Sequence, residues 1–223
     1  MRKFIVAACM VFLLGSVAAF AMDNPPPSGA ILDLNGLAIP HGTAQEYTID
    51  FNAAITSTDI TFAFREDPAF FSFSDASVVD LANPTVNLLL NGNFSSGSGN
   101  NATDWTFVNI YGAGASGVVS SSCGGGLSTC WYDGAVGAYD AIDQTIATNV
   151  GDNYQISFLL TDNSGQSTFS AQDNNDLQGI DVLAYAQAGL PPAGETPEPS
   201  SIVLFSTGLV ALVGAARRKM ARN

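Results

Sequence analysis

The middle of this chain has almost no basic side chains. Of the seven Lys and Arg residues, Arg2 and Lys3 lie at the amino end, and Arg217, Arg218, Lys219 and Arg222 lie at the carboxyl end. Arg65 alone stands between them, so the central part contains no lysine. Most of the 20 acidic residues stay in that central part. Such a surface repels phosphate backbones and anionic lipid headgroups, which excludes nucleic acid as a partner. Histidine is nearly absent as well. His41 stands alone in a Pro40-His41-Gly42 turn, a poor setting for a general base. Cysteine is scarce, with three residues in the whole chain. No Gly-x-Ser-x-Gly elbow occurs, which removes the usual serine-hydrolase signature. Glutamate is sparse in the body (Glu46, Glu66), which weakens any case for a paired-carboxylate glycosidase. No segment before the tail sustains a helical period of 3.6.

What is present begins with two ends that read as addresses. Arg2-Lys3, the apolar run Phe4 to Val17 and the small-x-small triplet Ala19-Phe20-Ala21 predict a cleaved signal peptide over 1–21. Residues 22–29, with Pro25-Pro26-Pro27, predict an extended spacer. A single body follows over 30–190, a length that can bury one sizeable core. Residues 191–196 form a second linker.

The carboxyl end has three parts in fixed order. Pro197-Glu198-Pro199 comes first, then an uncharged apolar run over 201–216, then Arg217-Arg218-Lys219. As a helix the run spans about 24 Å. That is slightly short for a hydrocarbon core of about 30 Å, a gap that snorkelling Arg and Lys can close. By the bias of basic residues, this end stays cytoplasmic. The plain reading is a transmembrane anchor. The ordered triad over 197–223 also resembles the PEP-CTERM sorting signal read by exosortase, a membrane-embedded bacterial processing enzyme. The resemblance implies export, transient anchoring in the inner membrane, processing near Pro197-Glu198-Pro199, and delivery to the cell surface or extracellular matrix. Segments 62–80 and 131–146 also resemble those of other exported PEP-CTERM proteins.

Within the body, turn clusters separate short runs rich in Val, Ile, Phe, Tyr and Thr. Tyr47–Phe51, Ile60–Phe64 and Tyr154–Phe158 alternate with period two, the mark of half-buried antiparallel strands. Val86–Leu90 is more continuously apolar and reads as an inner strand closed by an Asn91-Gly92 turn. The predicted fold is all-β, an antiparallel β-sandwich of jelly-roll type, flanked by a signal helix and a transmembrane helix. Tyr47-x-Ile-x-Phe51 recurs as Tyr154-x-Ile-x-Phe158. Two related strand groups, or the ordinary repetition of alternating strands, account for it equally.

The run Asn87-Leu-Leu-Leu-Asn-Gly-Asn-Phe94, followed by Asp104-Trp105-Thr106, resembles the opening strands of carbohydrate-binding jelly rolls. Thr61–Arg65 and Phe73–Val78 resemble the closing strands of the same fold. Here the closing pattern precedes the opening one. That order departs from the family, and no binding residue carries over.

Four groups of residues are candidates for chemistry. Cys123 and Cys130 flank a Gly-rich loop, and in an exported chain they predict a disulfide. Zinc is the rival, but the chain offers too few ligands for it. Trp131, Tyr132 and Asp133 combine aromatic faces with a carboxylate, as glycan contacts do. Core packing is the alternative, and for Trp105 the better one. Asp173-Asn174-Asn175-Asp176 could ligate calcium through its oxygens, but it lacks the Gly and distal Glu of an EF-hand loop, so an ordinary polar turn is the better reading, and no cofactor is otherwise implied. The resulting expectation is a non-catalytic surface or matrix protein that binds exopolysaccharide, with exosortase as its processing partner. A secreted glycan-active enzyme with the same address is the alternative.

Overall fold

A computed structural model describes residues 26–189, apart from 36, 68–69, 110–111, 115–116 and 164–178. The predicted signal peptide, the sorting triplet, the apolar run 201–216 and Asp173–Asp176 lie outside the described residues.

Twelve strands form the described chain: β1 (Leu32–Asp33), β2 (Gln45–Asn52), β3 (Ser57–Asp67), β4 (Phe71–Asp80), β5 (Gly97–Ser98), β6 (Asn101–Ala102), β7 (Thr106–Val108), β8 (Val118–Ser120), β9 (Cys130–Asp133), β10 (Asp140–Ala147), β11 (Asn153–Asp162) and β12 (Gly179–Gln187). Among the described residues there is no helix. Two five-stranded sheets run in the orders β1-β12-β3-β10-β7 and β2-β11-β4-β9-β8, and β5-β6 form a separate hairpin. Every pairing between named strands is antiparallel.

The two sheets close on one aromatic core, which makes a β-sandwich. Alternation along β3 turns Phe62 and Phe64 inward, and alternation along β4 does the same for Phe71 and Phe73. Phe62 meets Phe73 with ring centroids 4.8 Å apart, and Phe64 meets Phe71 at 5.5 Å. All four are fully buried. Each such ring contributes about 1.5–3 kcal/mol of burial free energy.

The repeated pentapeptide has a structural meaning. Tyr47-x-Ile-x-Phe51 on β2 pairs antiparallel with Tyr154-x-Ile-x-Phe158 on β11, so Tyr47 faces Phe158, Ile49 faces Ile156 and Phe51 faces Tyr154. The aromatic pairs stack at 5.7 and 5.4 Å. Running one motif against its own reverse matches Tyr to Phe twice, a pairing worth up to about 1 kcal/mol each over alanine.

A second cluster, Ala63, Tyr139, Ala141, Leu183 and Tyr185, lies buried on the outer side of the β12-β3-β10 sheet. The end of the Pro-rich segment packs there rather than standing free. Pro27 is buried, and its carbonyl oxygen accepts a hydrogen bond from the Tyr185 hydroxyl at 2.7 Å.

One predicted strand is overturned. Val86–Leu90 is not a strand: Val86 and Leu90 are 53% and 59% exposed, while Leu89 is buried. Side chains of this run do not alternate between two apolar faces. It lies along the edge of β4 instead, tied there largely by one asparagine.

Candidate functional site

On that edge, β9 pairs with β4 only over Phe71–Phe73. Farther along, residues 87–92 take the free edge. Asn87 Oδ1 accepts from the Val78 and Leu89 amides at 2.9 and 3.0 Å, and Asn87 Nδ2 donates to the Ala76 carbonyl at 3.2 Å. The Leu88 amide donates to the Val78 carbonyl at 2.8 Å, and the Ala76 amide to the Gly92 carbonyl at 3.0 Å. Glycine at 92 is required by this approach, since a β-carbon there would sit 1.9 Å from the Ala76 carbonyl oxygen.

Opposite this segment β4 is irregular. Its register against β11 shifts between Ser157 and Leu159, which leaves an extra residue on β4. Asp75 sits at the shift with φ of +52°. Among the described residues the non-glycine positions with positive φ are Asp75, Asn91, Phe94 and Asp104. Asn91, Phe94 and Asp104 belong to one connected stretch. Asn91 Nδ2 donates to the carbonyls of Ser96 and Thr103 at 2.8 Å, and its own carbonyl accepts from Trp105 Nε1 at 3.1 Å. Phe94 is held in its costly conformation by burial against Trp105, with rings stacked at 5.5 Å. Strained backbone that surrounding structure holds in place is a feature of binding and switch regions.

The other wall comes from the loop closed by Cys123 and Cys130, which are disulfide-bonded. The Gly124 amide donates to Ser72 Oγ at 3.2 Å, and Ser74 Oγ donates to the Thr129 carbonyl at 2.8 Å. The loop thereby lies across the outer side of β4. Two clefts result, of about 380 and 310 Å³. The first is lined by residues including Ser74, Gly126 and Ser128, the second by residues including Asn87, Asn91 and Gly92, and they meet at Asp75 and Asn93. Asp75 and Asn93 are both exposed. The Asp75 carboxylate has no hydrogen-bond partner among the described residues. This groove is absent from the sequence-based candidates. Its one advance signal was the Asn-Gly-Asn run.

The predicted aromatic site is overturned in its main part. Trp131 and Asp133 are fully buried. Trp131 Nε1 donates to Asp133 Oδ2 at 2.8 Å, and the indole packs near Phe107 and Phe94. Ala135 and Ala138 beside them are buried as well. Strand alternation is the cause: on β9, residues 131 and 133 point inward and 132 points outward. Tyr132 is half-buried on the outer face, stacked at 4.9 Å on Phe70, which is 44% exposed. Trp105 is core, as expected. His41 is exposed, with Nδ1 at 3.7 Å from a buried Asp162 oxygen.

Buried acids gather elsewhere. Asp133 and Asp140 are neighbouring carboxyl groups buried inside the sandwich. Burial first, and then the neighbouring Asp133, push the Asp140 carboxyl up to about 9. Burial raises Asp133 too, against the hydrogen bonds it accepts from Ala135 and Trp131. Burial and then Asp59 raise Asp143 to about 6. Burial is also the largest cause raising Asp181 to about 7, opposed by the hydrogen bond it accepts from Tyr139 at 2.5 Å. The Asp133–Asp140 pair is a poor glycosidase pair, because both residues are fully buried where a paired-carboxylate site must admit a sugar. Packing also closes it off, as a β-carbon at Gly117 would lie 2.3 Å from Asp133 Oδ2. Among the described residues, no group of three or more His, Cys, Asp or Glu side chains could hold a metal.

No curated protein and no solved structure matches the chain. Residues 195–219 match the PEP-CTERM protein-sorting motif, which covers the triplet Pro197-Glu198-Pro199, the apolar run and Arg217-Arg218-Lys219. The chain therefore carries a PEP-CTERM sorting tail, and that tail marks it as an exported protein processed by exosortase.

Proposed function

We propose that the β body is a non-catalytic surface or matrix module that binds exopolysaccharide weakly in the groove at Asp75 and Asn93. The observation that carries this reading is the groove itself. A strained bulge and a disulfide-closed loop wall a polar cleft, and at its centre the exposed Asp75 carboxylate has no hydrogen-bond partner among the described residues, while Asn93 Oδ1 accepts from the Ser95 amide at 3.2 Å. The sorting tail supports it, since an exosortase substrate is held in the inner membrane and then released towards a sugar-rich exterior. The exposed Phe70–Tyr132 stack on the same outer face supplies an aromatic surface of the kind sugar rings cover. Successive long strands alternate between the two sheets, which supports a jelly-roll path for the body. No cofactor is needed for such binding, and its single-site affinity falls in the range of about 0.1–1 mM, offset by many copies on a matrix.

The test is co-sedimentation of the full chain with exopolysaccharide from the producing cell. Wild type should sediment with the polymer. Ser128→Tyr places a bulky ring on the exposed loop wall without touching the core, and it should leave most of the chain in the supernatant. A wild-type chain that stays in the supernatant, or a variant that sediments equally, overturns the groove as the site.

A further inference from the structure

We propose that the groove selects a polysaccharide bearing free amino groups, with the Asp75 carboxylate receiving the ammonium of a hexosamine unit. This inference rests on the glycan-binding reading above and narrows its ligand.

Among the described residues, the surface around the groove carries no positive charge to receive an anionic polymer. Between residues 4 and 216 the one Lys or Arg is Arg65, which is 3% exposed and bonded through Nε to Asp67 Oδ2. No cationic side chain lines either cleft. A polymer of uronate or sulfate groups would enter beside Asp75 with no counter-charge, and like-charge juxtaposition opposes binding. A neutral polymer is tolerated. An amino polymer is attracted.

Asp adopts the left-handed region where its short side chain can bond locally to backbone. Asn91, also at positive φ, does this with Ser96 and Thr103. Asp75 does not. Its backbone is set by the bulge, and its carboxylate is left free at the junction of the two clefts. An ammonium lying in either cleft reaches it. The other side chains lining the two clefts are neutral, and Asn93 and Ser128 among them can pair with sugar hydroxyls. One charge-assisted hydrogen bond in an open groove is worth about five- to tenfold in affinity. It weakens as salt rises, because the site is exposed.

The test titrates the full chain, in mildly acidic buffer, with chitosan oligomers, their N-acetylated counterparts and galacturonate oligomers. The amino oligomers should bind about five- to tenfold tighter than the acetylated ones, and the galacturonates weakest. Asp75→Asn keeps the left-handed preference, so the fold is retained, and it should erase the amino advantage. Asp50→Asn, which removes the same charge from exposed β2, should leave the advantage intact. Equal binding of amino and acetylated oligomers, galacturonate binding tightest, or an equal effect of Asp50→Asn overturns the amine selectivity and leaves glycan binding standing. Failure of all three polymers to bind overturns both.

Discussion

The buried carboxyl group of Asp140 neighbours that of Asp133 in the interior of the sandwich. Two adjacent ionised carboxylates there would repel each other in a medium that screens poorly, so the pair retains a proton.

This arrangement fixes a pH dependence. Asp133, Asp140, Asp143 and Asp181 are all raised in the folded chain above the ordinary value of 3.8. The folded state therefore binds more protons than the unfolded state from about pH 4 upward. Their stabilising contribution is complete below the unfolded value and is lost as pH rises through about 6, about 7 and about 9 in turn. Melting temperature should fall steadily from about pH 5 to about pH 9. Asp140→Asn should flatten the alkaline end of that decline. A melting temperature that rises over the same range would contradict the assignment.

Trp131 and Tyr132 should separate cleanly on truncation. Trp131→Ala removes a fully buried indole and the donor to Asp133, and should cost about 3–5 kcal/mol. Tyr132→Ala removes a half-buried ring on the outer face and should cost about 1 kcal/mol. Urea unfolding of the two variants checks this, and similar costs would show that the burial assignment is wrong.

The alternating strands were legible because one polar and one apolar face leave a period in the sequence. Tyr47–Phe51, Ile60–Phe64 and Tyr154–Phe158 fall within β2, β3 and β11. The same alternation misled at Trp131-Tyr132-Asp133, where an aspartate pointing inward broke the rule that acids face water. Its partner Asp140 is seven residues away, and no local pattern announces a shared proton. Val86–Leu90 misled because composition cannot distinguish an apolar strand from an apolar segment tied to a sheet edge by Asn87. The groove depends on a bulge and a loop from distant parts of the chain, so only the fold brings Asp75 to Asn93 and Ser128.

The Cys123–Cys130 bond closes one wall of that groove. Its loop is short, so on the chain-entropy account it stabilises the fold by about 2–3 kcal/mol. Replacing both cysteines with serine should lower stability by that amount and weaken exopolysaccharide binding, because the Gly124–Thr129 wall loosens. Denaturant unfolding together with co-sedimentation checks both effects. Stability lost with binding unchanged would remove the loop from the site.

The tail predicts a covalent change. Exosortase processing near Pro197-Glu198-Pro199 should leave surface-recovered protein without the segment Arg217 to Asn223. Mass spectrometry of that material should find no peptide from this segment, and its presence in the mature protein would contradict processing.

The central claim is that polysaccharide occupies the groove between the β4 bulge and the disulfide loop. Amide hydrogen exchange of the full chain, with and without the producing cell's exopolysaccharide, tests it most directly. The account predicts slowed exchange confined to the backbone around Asp75, Gly92–Phe94 and Gly124–Thr129. Unchanged exchange there, with protection elsewhere or nowhere, would contradict it.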